Sequence, residues 1–175
     1  MTGPSRLGRR YEVVPLEKRH DRSAFSSGVE VLDEYLKRQS GQDVRRRVAF
    51  CFVANERATA TVHGYYTLST ASVLLDLLPE ELASKMPRYP TVPAVRLGRL
   101  ATHRDVQGQG LGTFLLMDAM ARSLRIEAGW AAFLVDALDA TIRDFYLRFG
   151  FESLADDPSH LFLMRKTMEP LFPIK

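Results

Sequence analysis

Gln107, Gly110 and Gly112 stand at the spacing Q-x-x-G-x-G, between an apolar-leaning run, Val95–Thr102, and a helical pattern, Leu111 to Ala128. Strand, glycine-rich turn and helix in this order aim unpaired N–H groups outward at the positive end of a helix dipole. Glycines take side chains out of the way, so that a pyrophosphate can come close to those N–H groups. No Lys-Ser/Thr follows, which excludes a Walker loop, and Q-G-Q-G-L-G lacks the G-x-G-x-x-G spacing of a dinucleotide fingerprint. A turn with no ligand is the competing reading, and the strand-turn-helix context weighs against it.

Charge placement supplies the second feature. The net charge of +3 is modest, but Leu82 to Arg104 carries Lys85, Arg88, Arg96, Arg99 and Arg104 and no acid. Arg45, Arg46 and Arg47 make a second basic block. Each is readable as a solvated surface side chain; as sets they suit a polyanion. His20, His63, His103 and His160 share no metal-ligand spacing, so no metal is expected and the histidines read as structural or surface groups. Cys51 is the only cysteine, which excludes an internal disulfide, and its apolar setting marks a core residue.

The elements that must position these residues follow from periodicity. The length of 175 residues suits a single domain, with residues 1–10 as a flexible leader. No apolar run reaches the ~20 residues of a membrane span, and no apolar stretch follows the basic N-terminus, so a cytoplasmic chain is expected. Tyr11–Leu16 is a short strand. Ser27 is the expected N-cap of a helix carrying Val31, Leu32, Tyr35 and Leu36 on one face and broken at Gly41. Val48–Ala54 and Thr61–Val73 read as an antiparallel hairpin, with a bulge or bend at Gly64. Pro79 opens a short helix, and 87–93, with its three prolines, is expected to be a stiff extended loop.

After the glycine turn the helix should bury Leu111, Leu115, Ala119 and Leu124, keep Asp118, Arg122 and Arg125 wet, and end at Gly129. Ala131–Leu138 is apolar enough for a strand buried on both faces. Asp139 should cap a helix over Ala140–Phe149 that Gly150 ends. Phe151–Leu154 and Leu161–Met168 complete the strands around an Asp-Asp-Pro turn. The whole is an α/β chain with a mixed sheet of six or seven strands and helices on both faces.

Strand, Q-x-x-G-x-G, helix, apolar strand and a helix with F-Y-x-x-F-G-F together resemble the core of the GNAT superfamily of acetyl-CoA-dependent N-acetyltransferases, which implies the GNAT fold over a single acetyltransferase domain, 1–175. Phe25, Ser27, Gly28, Leu32, Asp33, Tyr35 and Leu36 match F-x-S-G-x-x-x-L-D-x-W/Y-L. With P-R-Y-P-x-V-P and L-G-R-L-A, this makes the chain similar to the GNAT toxins of toxin–antitoxin pairs, which acetylate the amino group of aminoacyl-tRNA and block translation.

The resemblance implies that Gln107, Gly108, Gln109, Gly110, Leu111, Gly112 and Thr113 cradle the acetyl-CoA pyrophosphate. It implies that the backbone of Leu100, Ala101 and Thr102 pairs with the pantetheine arm, and that Tyr146 is the general acid. Taken alone, Tyr146 could equally be a core aromatic beside Phe145 and Phe149. Arg45, Arg46, Arg47, Lys85, Arg88, Arg96 and Arg99 are the candidates for tRNA contact; the alternatives are that some hold the 3′-phosphate of CoA or are paired internally, with Arg99, in a strand, pointing inward to a carboxylate. Asp139 and Ile142 depart from the Asn and Ala that many members carry before the tyrosine. A ribbon-helix-helix antitoxin and a homodimer are the implied partners, with no membrane. Two other readings fit the same residues: a GNAT enzyme acting on a small-molecule or protein amine, and a CoA-binding or partner-binding module without catalysis.

Overall fold

The computed structural model describes residues 5–173. Its seven strands are β1 (Tyr11–Pro15), β2 (Phe50–Glu56), β3 (Val62–Leu74), β4 (Thr91–Thr102), β5 (Ala132–Asp136), β6 (Glu152–Ser153) and β7 (His160–Met164). They form one mixed sheet in the order β1-β2-β3-β4-β5-β7-β6. Contacts divide the chain into two compact units, one of residues up to Ser69 with Arg99–Met120, the other of Thr70–Gly98 with Ala121 onward. Among the described residues no helix is long and apolar enough to cross a membrane.

In the first unit β1 pairs antiparallel with β2, and β2 with β3, as the hairpin pattern predicts. The register slips between Ala54 and Asn55, opposite the stretch that contains Gly64. A Cβ on Gly64 would sit 2.8 Å from Leu115 Cδ1 and 3.2 Å from the Ala101 carbonyl, so the missing side chain is what lets helix and strand close on β3. Part of the expected leader is structured: Arg6–Arg10 forms a one-turn helix, α1, and Arg10 bonds Glu56 at 2.6 Å. Residues 1–4 lie outside the described residues.

The helix after Ser27 corrects two expectations. It starts at Glu30, runs as α2 (Glu30–Glu34), widens to a π-turn (Tyr35–Gln39) and continues as α3 (Ser40–Arg45). Ser27 is not its N-cap, and Gly41 does not break it. The wide turn loosens the Leu36 carbonyl from the regular ladder, and Ser40 Oγ and Arg22 Nη1 donate to it at 2.7 and 2.9 Å. With that carbonyl satisfied, the helix passes through Gly41. Phe25, Tyr35, Leu36, Val53 and Tyr65 pack the core of this unit.

In the second unit β4 is parallel to β5, and β7 is antiparallel to both β5 and β6. β4 begins at Thr91, so the stiff loop 87–93 is shorter than expected; the Pro93 carbonyl accepts from Ala131 N–H at 2.9 Å and draws the proline into the strand. α4 (Glu80–Ala83) follows Pro79. Leu161–Met168 is strand only to Met164, and Arg165–Met168 turns into a short helix, α7. Val73, Val92, Leu134 and Phe162 belong to its core.

The helix after the glycine turn, α5 (Leu111–Leu124), buries Leu111, Leu115, Ala119 and Leu124 as predicted, but stops before Gly129. Arg125 N–H and Ile126 N–H bond back to the Arg122 and Ser123 carbonyls, a tight last turn that ends the helix. Asp118 is not on a wet stripe either: Tyr66 OH donates to its carboxylate at 2.6 Å. Asp139 caps α6 (Ala140–Leu147) by accepting from Ile142 N–H at 2.9 Å. Asp139→Ala should therefore lower stability by about 1 kcal/mol in chemical denaturation.

Candidate active site

The glycine turn lies in the first unit and is held by bonds within the chain. His103 accepts from Asp105 N–H through Nδ1 at 3.2 Å and caps a single turn of 3-10 helix, Arg104–Val106. Gln107 then folds back: its Nε2 donates to the Ser27 carbonyl at 2.8 Å and the Thr102 carbonyl at 3.0 Å. Arg104 fastens the same upstream segment, its N–H to the Ser26 carbonyl at 2.8 Å and its Nη2 to Ser26 Oγ at 2.6 Å. Gly108 and Gly110 take φ of +74° and +88°, in the left-handed region that favours glycine.

Phe114 N–H bonds the Gly110 carbonyl and so begins the helical ladder. Among the described residues, the N–H groups from Gly108 to Thr113 meet no main-chain acceptor. They form a run of donors at the start of a long helix, exposed at Gly108–Gly110, half-buried at Gly112 and Thr113 and buried at Leu111, the arrangement that binds a phosphate-type anion. Gln107, expected among the groups that touch the ligand, commits its amide nitrogen to the turn.

Sequence reasoning missed what lies under this turn. Ser27 donates its N–H and its hydroxyl to Asp33 Oδ1, at 2.8 and 2.7 Å, and gives its carbonyl to Gln107. The S-G-x-x-x-x-D pattern carried that signal, since a serine before a glycine at φ +89° is a turn former that an acid in the next helix can reach. Of the strand residues expected beside the pantetheine arm, Ala101 is buried and Leu100 and Thr102 are half-buried. The Thr102 carbonyl is engaged by Gln107, and His103 N–H bonds the His63 carbonyl at 2.7 Å.

Tyr146 lies in the second unit, near the end of α6 and only 4% exposed. Its ring packs on Phe145 at 5.2 Å and Phe151 at 5.4 Å between centroids. Burial first, and the negative charge of Asp136 second, push its phenol well above the ordinary range, so it keeps its proton through neutral pH. That is the state a proton donor needs. Asp139 and Ile142, the two departures from the superfamily pattern, are joined by the helix cap.

The basic candidates separate into two groups. Arg99 lies over the Tyr35 ring at 3.5 Å, and Tyr35 OH donates to Asp43 at 2.8 Å, so this guanidinium is used in packing. Arg96 is paired with Asp136 at 2.8 Å. Lys85 reaches Glu81 at 3.8 Å on an exposed face, a contact that holds it weakly. Arg45, Arg46, Arg47 and Arg88 are exposed and make no salt bridge among the described residues. Among those residues no group of three or more His, Cys, Asp or Glu side chains is placed to hold a metal. Burial pushes the Cys51 thiol up to about 12, which leaves it unreactive at neutral pH.

Known proteins share this architecture. The tRNA-acetylating toxin of Mycobacterium tuberculosis is 37% identical over 153 residues, 86% of this chain and 90% of that protein. A probable toxin TacT of Sinorhizobium fredii is 28% identical, over 91% of this chain and 93% of its own length. Among solved structures, a mutant of KacT superposes with a TM-score of 0.88 at 30% identity, covering 93% of this chain and 99% of that one. AtaT complexed with acetyl-methionyl-tRNAfMet gives a TM-score of 0.86 at 28% identity, over 92% of this chain and 98% of that one. Residues 47–153, from the arginine block through the glycine turn to β6, match the model described as an acetyltransferase (GNAT) domain, and the chain belongs to the GNAT acetyltransferase family.

Proposed function

We propose that this chain is the toxin of a toxin–antitoxin pair, an enzyme that moves the acetyl group of acetyl-CoA to the amino group of aminoacyl-tRNA and so blocks translation. The observation that carries the reading is the run of N–H groups from Gly108 to Thr113 with no main-chain acceptor among the described residues, held under the Gln107 clasp. It fits the pyrophosphate of the acetyl donor. The acceptor half rests on the exposed arginines, on a relative named as a tRNA-acetylating toxin and on the likeness to AtaT complexed with acetyl-methionyl-tRNAfMet.

The chemistry asks little of the protein beyond positioning and one proton donor. Loop residues Gly108–Thr113 hold the donor's phosphates, and the backbone of Leu100–Thr102 aligns its arm. Tyr146 OH gives a proton to the sulfur as the C–S bond breaks. A neutral amine attacks the acetyl carbon, and with an α-amino pKa of ~7.7–8.0 a useful fraction is neutral at physiological pH. No metal is required. The chain acts as one acetyltransferase domain in the cytoplasm. A ribbon-helix-helix antitoxin restrains it, and a homodimer is its working form.

Labelled acetyl-CoA offered with charged tRNA, free amino acids and bulk protein tests the acceptor. Label on the aminoacyl-tRNA is the expected result; label only on free amines or protein would make this a different GNAT enzyme. Arg45, Arg46 and Arg47 are the proposed phosphate contacts with Arg88. Replacing the three by alanine should flatten the salt dependence of tRNA binding, by roughly 0.7–0.9 in log–log slope for each phosphate no longer neutralised. An unchanged slope would remove the block from the interface.

A further inference from the structure

A second group of charged side chains lies in the same unit as Tyr146, and none of the roles above uses it. Asp136 ends β5, and its Oδ2 accepts from Arg96 of β4 at 2.8 Å. Oδ1 has no partner among the described residues. Opposite Asp136 in the sheet register is His160, the first residue of β7. His160 Nδ1 lies 2.9 Å from Asp156 Oδ2, and its Nε2 meets no partner among the described residues. Asp136, His160, Asp156 and Arg96 line one cavity of about 240 Å³, whose other wall includes Leu77, Leu134 and Leu154.

We propose that this cavity is the acceptor-amine site: Asp136 holds the ammonium group, and His160, oriented by Asp156, takes the proton that the amine must lose. This rests on the reading of the acceptor as an amine. A cationic nitrogen brought into a half-closed cavity needs a counter-charge, and Asp136 offers a free carboxylate oxygen, fixed by Arg96 through the other one. A carboxylate is too weak a base to deprotonate such a group efficiently. An imidazole is well matched, and a base hydrogen-bonded to a second group that orients it is the usual construction of a general base. Asp156 first, then the nearby Asp136 charge, raise the proton affinity of His160, bringing it closer to that of the amine. The apolar wall suits an amino-acid side chain, since a cavity of about 150 Å³ already admits benzene.

The step balances. The ammonium gives one proton to His160, which passes it to water. The neutral nitrogen bonds to the acetyl carbon, the C–S bond breaks, and the sulfur takes the Tyr146 proton. The second nitrogen proton, carried by water, restores Tyr146, so each transfer releases one proton to solvent.

The groups that face His160 are Asp136 from β5, Arg96 from β4, and Asp156 and Asp157 from the turn before β7. Below its pKa, His160 is itself a cation and competes with the ammonium for Asp136, so acceptor binding should weaken as pH falls. Initial rates for His160→Gln and Asp136→Asn, measured from pH 6 to 8.5 with acetyl-CoA saturating, test the assignment. Asp136→Asn should raise the acceptor KM about 10-fold or more. His160→Gln should lower kcat/KM about 6- to 11-fold near pH 7, the reciprocal of the neutral fraction of an amine with a pKa of ~7.7–8.0, with the deficit closing as pH rises and the amine ionises without help. A His160→Gln deficit equal at every pH, or an Asp136→Asn KM equal to that of the native chain, would overturn the proposal. Retained acetyl-CoA affinity shows that both variants are folded. The native rate on aminoacyl-tRNA tests the acceptor reading; the ratio of variant to native, on whichever amine the native chain acetylates, tests this one.

Discussion

Tyr146→Phe is expected to bind acetyl-CoA as tightly as the native chain and to lose about 10²–10⁴ of its turnover. The ring supplies packing and the hydroxyl supplies chemistry, and this substitution separates them. Phe145 and Phe151 touch the ring, so phenylalanine keeps those contacts, and the fold around α6 should stay intact. What disappears is the one proton source proposed for the sulfur. A CoA thiol resembles cysteine, with a pKa of ~8.5, so the unassisted thiolate is a tolerable leaving group and some residual activity should remain. Titration calorimetry with acetyl-CoA and single-turnover transfer from labelled donor give the two readouts. Near-native turnover would leave Tyr146 as a core aromatic.

Gly64→Ala should cost about 1–3 kcal/mol of stability, through overpacking. The new methyl would have to fit 2.8 Å from Leu115 Cδ1 and 3.2 Å from the Ala101 carbonyl. Leu115 is fully buried and cannot swing away, and Ala101 is backbone on β4. Relief must come from a shift of that strand, next to the residues assigned to the donor's arm. Acetyl-CoA affinity should therefore fall together with the denaturation midpoint. Gly129→Ala is the control, because nothing lies within 4 Å of its added methyl. If Gly64→Ala were as stable as that control, the close approach at β3 would be softer than its distances imply.

The parts of this molecule legible in the sequence were those set by neighbours along the chain. The strand, glycine turn and helix around Gln107–Leu111 are local, and so is the Asp139 cap. The hairpin and the irregularity beside Gly64 followed from two runs rich in β-branched and aromatic residues, the second with a glycine in it. Hidden features depend on partners far apart in sequence. A helical wheel puts Asp118 in water, but Tyr66 of β3 reaches it. Arg96 and Arg99 look like members of one basic stripe until Asp136 and Tyr35 take them out of it. Glycine propensity predicts a break at Gly41, yet Arg22 and Ser40 secure the widened turn before it. His160 looked like an ordinary surface histidine, because its spacing to Asp156 crosses a proline turn rather than one helix face.

The Gln107 clasp bears on how such an enzyme can be kept idle. Its two bonds run to carbonyls of the chain itself, and the left-handed glycines shape the turn around it. In its proposed role as donor cradle, a turn fixed by the chain's own bonds asks little conformational tax of acetyl-CoA. A switch built on ordering that loop would have nothing left to order. On the proposed reading, silence is imposed from outside, by a second molecule that covers the acceptor's path or displaces Tyr146, and it ends when that molecule is removed.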